Sequence, residues 1–225
     1  MFKGPLKGGE KIVRFIGDVH GHFDAYLALV EGVNKSIQVG DMGIGFGKNF
    51  PKPSMDHRFF RGNHDNPNAC AKISNWIKDG TMLDGVFCLG GAWSIDFEWR
   101  QHYEMSTGRK IWWPNEECSV PKLQKIIDYY EEVKPEIVAT HDCPTIMAHE
   151  IHSQHEWDKS KTRQALDRMF EIHKPKLWVF GHHHINLMRN IEGTRFICLD
   201  ELSFVDVEID GSLVMTDIQR KLWEK

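Results

Sequence analysis

The sequence predicts an α/β fold in one domain. Two observations lead there. Short apolar runs closing on Gly-Asp or Gly-His alternate with amphipathic helical stretches through most of the chain, and residues 194–218 read as successive strands joined by turns. At 225 residues, 41% hydrophobic and 27% charged, the chain has the length and composition for one sizeable core. No repeat, low-complexity segment or linker divides residues 1–225.

The elements follow in order. "KIVRFIGD" is an apolar run ending in Gly-Asp, and "FDAYLALVEGV" behind it places its apolar residues at helical intervals, so the first unit is strand, loop, helix. "SIQVGD" repeats the strand and its ending, "HRFFRGNHD" is a third strand running into a polar loop, and "GVFCLGGAWSID" is a fourth that could continue as a hairpin. Residues 99–117 are aromatic, charged and without apolar period, the marks of a long loop of the kind that carries function. A helix starts near Ser119, with Pro121 in its first turn, and runs through "KLQKIIDYYEEV" to the break before Pro135. "EIVATHD" is a strand, "KTRQALDRMFEIH" a helix stopped by Pro175, and "KLWVFGHHH" another strand; in the tail, Asp210-Gly211 suits a hairpin turn.

Bulk properties exclude some classes of function. A net charge of -4 and a pI near 6.3 argue against a general binder of nucleic acid or membrane surfaces. "MFKGPLKGGEKIVRF" has no apolar signal-peptide core, and no uncharged run approaches the roughly 18 residues needed to span a bilayer. The five cysteines are odd in number, widely spaced and without a C-x-x-C pair, which fits a reduced, cytoplasmic setting.

The chemistry gathers at strand ends. Asp18 and His20 lie in "GDVHG", Asp41 in "VGDMG", Asn63 and His64 in "RGNHD", His141 in "ATHDC", and His182 and His184 in "FGHHH". Ligands of open α/β sheets bind outside the carboxyl ends of the strands, so these loops are expected to converge on one crevice. Carboxylate, imidazole and amide oxygen without thiolate suit manganese, iron or zinc in a working site and disfavour a structural zinc cage. If the chain stays extended through the three histidines, alternate residues share a face. His182 and His184 could then reach one metal centre, with His183 turned away.

The ordered set D-x-H, G-D, G-N-H-D, H, G-H-x-H, from Asp18 to His184, resembles the calcineurin-like metallophosphoesterase superfamily. The resemblance implies a four-layer αββα sandwich of two mixed β-sheets flanked by helices. It implies that Asp18, His20 and His184 bind one divalent metal, that Asn63, His141 and His182 bind a second, and that Asp41 bridges them. It also implies that His64 faces the scissile phosphoester without being a ligand. Manganese is the expected metal, with iron or zinc as alternatives. Two such cations, roughly 3.5 to 4 Å apart, would generate a shared hydroxide that attacks phosphorus in line. His64, with an unperturbed pKa of about 6.5, would protonate the leaving group, with Asp65 orienting its imidazole.

The substrate is expected to be a small phosphorylated or nucleotide compound, as a phosphomonoester or a phosphodiester. Serine/threonine protein phosphatases of the superfamily share the first motif but continue the second to an Asp-Arg-Gly that grips phosphate, where this chain reads "GDMGIGFG". That departure argues against a phosphoprotein substrate and leaves Arg61 and Arg100 as candidate phosphate cations. "GGAWSIDFEWR", "WWPNEE" and "THDCP" are similar to a group of bacterial and phage members, which favours Arg100. Dinucleotide polyphosphate is another substrate class, and the acidic balance argues mildly against nucleic acid. A non-catalytic metal-binding scaffold is the alternative of a different kind.

Other features have plainer readings. Trp112 and Trp113 could stack on a base but read more simply as loop anchors. His22 reads as solvent-facing or supporting. "HEIHSQHE" fails the H-E-x-x-H spacing at Ser153 and reads as a rim segment, and Cys143 reads as a buried small apolar residue.

Overall fold

The computed structural model describes residues 12–152, 159–208 and 210–214. Among them the strands are β1 (Ile12–Ile16), β2 (Ser36–Gln38), β3 (His57–Phe59), β4 (Thr81–Leu83), β5 (Val86–Leu89), β6 (Ile137–Thr140), β7 (Leu177–Phe180), β8 (Leu187–Ile191), β9 (Thr194–Cys198), β10 (Phe204–Glu208) and β11 (Leu213–Val214). The helices are α1 (Phe23–Val30), α2 (Pro67–Cys70), α3 (Phe97–Thr107), α4 (Val120–Val133), α5 (Thr145–Ile151) and α6 (Lys161–Ile172).

The strands form two mixed sheets, ordered β11-β10-β1-β2-β3 and β4-β5-β6-β7-β9-β8. β1, β2 and β3 run parallel in the first, and β5, β6, β7 and β9 in the second, so their carboxyl ends gather at one edge. The antiparallel strands lie at the flanks.

Alternation along the strands builds the layers. Val13 and Phe15 of β1 pack with Ile137 and Ala139 of β6 and Leu177 and Val179 of β7 in a core between the sheets. The intervening Val138, Trp178 and Phe180 face the other way, onto Leu123, Ile127 and Tyr130 of α4 and Leu166, Met169 and Phe170 of α6. On the outer face of the first sheet, Ile16 and Phe59 meet Phe23, Tyr26 and Val30 of α1. This is the four-layer αββα arrangement, and apolar burial on both faces explains why the central strands read as unbroken hydrophobic runs.

Two expectations are corrected. Residues 97–107 form α3, where the stretch from Trp99 onward reads as loop. Arg100 is the buried residue of this helix, so no apolar stripe advertised it; an Asp96–Arg100 ion pair and a stacked Trp99–Tyr103 pair support it, and Gly108 at φ 68° ends it. The strand in "GVFCLGGAWSID" does not turn back on itself but pairs with the preceding β4. The short α2 and α5 and the flank strand β8 are elements the structure adds. His149 and Glu150 of "HEIHSQHE" are exposed on α5, while residues 153–156 lie outside the described ones.

Candidate metal centre

The loops leaving β1, β2, β3, β6 and β7 bring their side chains together at the carboxyl edge. Ligand-type atoms of Asp18, His20 and His184 lie within 4.8 Å of one another, as do those of His20, Asp41 and His64, and those of Asp18, Asp41 and His141. Asp41 is common to two of these groups and faces both ends of the site: its Oδ2 is 4.0 Å from His20 Nε2 and its Oδ1 is 3.5 Å from His141 Nε2. Asn63 Oδ1 is 3.0 Å from His141 Nε2, and the His182 ring packs 5.0 Å from that of His141.

The backbone is forced into rare conformations to do this. His20, Asp41, His182 and His184 all have φ between 46° and 68°, the left-handed region that non-glycine residues seldom occupy. His182 and His184 are therefore not in an extended strand, and strand alternation is not what sorts the triplet. His183 does face away, because the loop turns it onto Asp142 Oδ1 at 3.3 Å and Cys143 Sγ at 3.5 Å. The motif glycines are required by close approach: a Cβ on Gly62 would strike Asp41 Oδ1, and one on Gly181 would strike Asp18 Oδ1.

These residues fit a divalent cation better than they fit one another. Buried Asp18 Oδ2 accepts no hydrogen bond, although His184 Nε2 lies 3.1 Å away and His20 Nε2 3.7 Å away, and those two nitrogens face each other at 3.2 Å. A buried carboxylate oxygen left without a hydrogen bond beside two imidazole nitrogens is the pattern of ligands around a metal. At the other end, His141 Nδ1 donates to the Val39 carbonyl at 2.9 Å, which leaves Nε2 aimed at two oxygen acceptors. Burial would lower the pKa of His141, but the charge of Asp41, helped by Asp18, outweighs it and pushes it up to about 10. Burial likewise works against ionised Asp41, yet His141, His64 and His20 hold it well below the usual carboxylate range. The pocket calls for positive charge among these groups.

The predicted substrate-facing residues separate. His64 donates its backbone N–H to Asp41 Oδ1 at 2.8 Å, and its Nε2 meets Arg100 Nη2 at 2.7 Å. Burial, opposed by Asp41 and reinforced by the Arg100 charge, holds its pKa down. Asp65 does not orient that imidazole. Its carboxylate accepts backbone N–H groups from Met42, Gly43, Ile44 and Gly62, and so ties the Asp41 loop to the Asn63 loop. Arg61 is corrected too: it is buried against Asp79, Cys118 and the carbonyls of Asn115 and Glu116, with no fork left for phosphate. Trp113 is buried against Phe46 as a loop anchor, half-buried Trp112 lies against Phe97, and His22 is exposed at the start of α1.

Asp142, Cys143 and His183 form another cluster of ligand-type atoms, but the buried Arg163 guanidinium already neutralises Asp142, and burial pushes the Cys143 thiol well up. Three residues escaped sequence reasoning. Glu201 Oε1 lies 3.0 Å from His184 Nδ1, Ser94 accepts from Asn63, and Glu116 accepts from Ser94. Ser94 and Glu201 follow the carboxyl ends of β5 and β9, the two parallel strands whose endings carry none of the predicted ligands; their position at the same edge is the available signal.

The sequence profile described as calcineurin-like phosphoesterase matches residues 13–186. The chain belongs to this family. It is accordingly a metal-dependent phosphoester hydrolase, and no curated protein sequence matches it. Among solved structures it is similar to phosphopantetheinyl hydrolase from Mycobacterium tuberculosis, at 12% identity and TM-score 0.50, covering 86% of this chain and 91% of that one. That likeness speaks to the fold. The anchor protein of the Plasmodium inner membrane complex aligns at 10% identity and TM-score 0.49, over 92% of this chain and 88% of that one.

Proposed function

We propose that the protein hydrolyses a phosphomonoester or phosphodiester at a binuclear centre, with Asp18, His20 and His184 at one end, Asn63, His141 and His182 at the other, and Asp41 between. The observation that carries this reading is Asp41, whose two oxygens face His20 and His141 from the middle of the cluster. The donor set of oxygen and imidazole nitrogen favours manganese, with iron and zinc as competitors. Bound divalent cations supply Lewis acidity, lowering the pKa of water and neutralising phosphoryl oxygens.

The chain's own residues do the rest. Arg100 presents a guanidinium at the rim of the centre, held by Asp96 at 2.7 Å, and phosphate oxygens compete with His64 for it. Once Arg100 turns to phosphate, His64 Nε2 is free to take up a proton from water and pass it to the leaving oxygen. Asp65 keeps the two loops in register while this happens.

The test is turnover of p-nitrophenyl phosphate and its bis-ester with added Mn²⁺, Fe²⁺ or Zn²⁺. Activity is expected with Mn²⁺ and is expected to vanish in Asp41→Ala and His64→Ala. Metal bound without turnover of any phosphoester would turn the reading toward a non-catalytic scaffold. The five buried, free cysteines support a reducing compartment such as the cytoplasm, and no helix among the described residues is long and apolar enough to cross a membrane.

One observation favours a polyanionic substrate such as a dinucleotide polyphosphate. A groove of about 720 Å³ beside the Asp41 loop is lined by Lys48, Lys52 and Lys72 and by no acidic side chain, in a chain of net charge -4. Lys48 Nζ reaches the carbonyl of Gly21, next to His20, at 2.9 Å. A Lys52→Ala/Lys72→Ala variant should raise KM for a dinucleotide polyphosphate and leave KM for p-nitrophenyl phosphate alone; equal effects on both would remove this reading.

A further inference from the structure

We propose that Glu116 and Ser94 are positioning residues that decide which atom of the Asn63 amide faces the metal. The inference rests on the metal-dependent reading above. A side-chain amide carries an acceptor oxygen on one side and a donor NH2 of nearly the same size on the other, so packing alone does not choose between them. Hydrogen bonds do.

The chain of bonds has one sense. Glu116 Oε1 accepts the backbone N–H of Ser94 at 2.9 Å, and Oε2 accepts the Ser94 hydroxyl at 2.6 Å. With its hydrogen given to the carboxylate, the Ser94 oxygen is left as an acceptor. The Asn63 NH2 fills it at 2.9 Å, which turns Asn63 Oδ1 toward His141 Nε2, 3.0 Å away. An amide turned the other way would present N–H hydrogens, and positive partial charge, to the cation.

Burial makes the choice binding. Asn63, Ser94 and Glu116 are 2%, 1% and 3% exposed, so bulk water does not offer substitute partners. Glu116 is itself held in place, because its backbone carbonyl accepts from Arg61, two residues before Asn63. The sequence "RGN" thus fixes its own asparagine by way of a glutamate more than fifty residues on.

The test reverses the sense of the chain. Glu116→Gln has a single acceptor; with that oxygen on the Ser94 N–H, its NH2 donates to the Ser94 oxygen, and the hydroxyl hydrogen swings to Asn63 and draws the amide oxygen away from the metal. Mn²⁺ affinity, measured by calorimetry on metal-stripped protein, is expected to fall 10- to 100-fold, the usual range when an outer partner of a ligand is lost. The spin-coupled resonance of a manganese pair should give way to an uncoupled signal. In an Asn63→Asp background there is no amide to orient, so adding Glu116→Gln should leave affinity unchanged or improved.

Wild-type affinity in Glu116→Gln, or an equal loss in both backgrounds, would overturn the proposal. If Glu116→Gln does not fold, Ser94→Ala in the same two backgrounds decides by the same criterion. Wild-type protein that binds no Mn²⁺ would instead sink the metal-dependent reading itself.

Discussion

Arg61 and Arg100 flank the same histidine loop, and both are buried arginines that sequence reasoning offers to phosphate. They sit in opposite kinds of surroundings. Arg61 is locked into the wall behind the Asn63 loop, where every direction of its guanidinium meets a partner and its main charge partner, Asp79, is shared with Lys122. Arg100 stands at the front on α3, tethered by Asp96 and the Ile111 carbonyl, with its remaining nitrogen on His64. Saturation makes the first a strut. A contact that a better acceptor can displace is what the proposed role of the second, as a substrate handle, requires.

The sharpest way to break this contrast is Arg61→Ala. Removing one partner of a buried pair leaves the other charge without its counterion, and we expect a loss of about 3 kcal/mol in urea unfolding, the low end for such pairs because Lys122 still reaches Asp79. Unchanged stability with a raised KM would make Arg61 a phosphate ligand after all. Burial works against ionised Asp79, but Arg61 and Lys122 hold its pKa below the ordinary value of 3.8. Its folded-state pKa is thus depressed, so its contribution to stability is present above that value and is lost as pH falls through the lower, folded one. Acid unfolding of wild type should show this step, and Arg61→Ala should show less of it.

Arg100→Ala is expected to act on turnover. Charge-assisted hydrogen bonds to phosphate contribute about 1.5–3 kcal/mol, so kcat/KM should fall about ten- to 150-fold with metal content and the urea midpoint nearly unchanged. A loss of metal in step with activity would move Arg100 from substrate handle to support of the centre.

The same contrast explains what was legible in the sequence. Asp18, Asp41, Asn63 and His141 are readable because the parallel strands that precede them are short, apolar and end at one edge. Arg61 was misread because its neighbours Asp79, Cys118 and Glu116 come from loops whose meeting is a matter of tertiary packing. Helix α3 was misread because it buries an arginine instead of an apolar stripe, and apolar period is the signal a sequence offers. Asp65 was misread because adjacency to His64 suggests contact, while the turn of the chain sends its carboxylate to four backbone amides. His183 was placed correctly for the wrong reason, since left-handed residues on either side, not a pleat, turn it outward.

Glu201 offers the smallest test, at the exposed end of the same axis. Its carboxylate lies 3.0 Å from His184 Nδ1 and about half of that ring is open to solvent, both side chains being 43% exposed. A carboxylate behind a metal-binding imidazole fixes its tautomer and aims the far nitrogen, here Nε2 toward Asp18. Water can take over much of that role where the pair is open, whereas it has no such access to Ser94 and Glu116. Glu201→Gln should therefore weaken Mn²⁺ binding by no more than about tenfold, at or below the low end for such partners. Calorimetry on the two glutamate variants side by side measures the difference: a larger loss at Glu201 than at Glu116 would mean that burial does not set how tightly this protein holds its ligands in line.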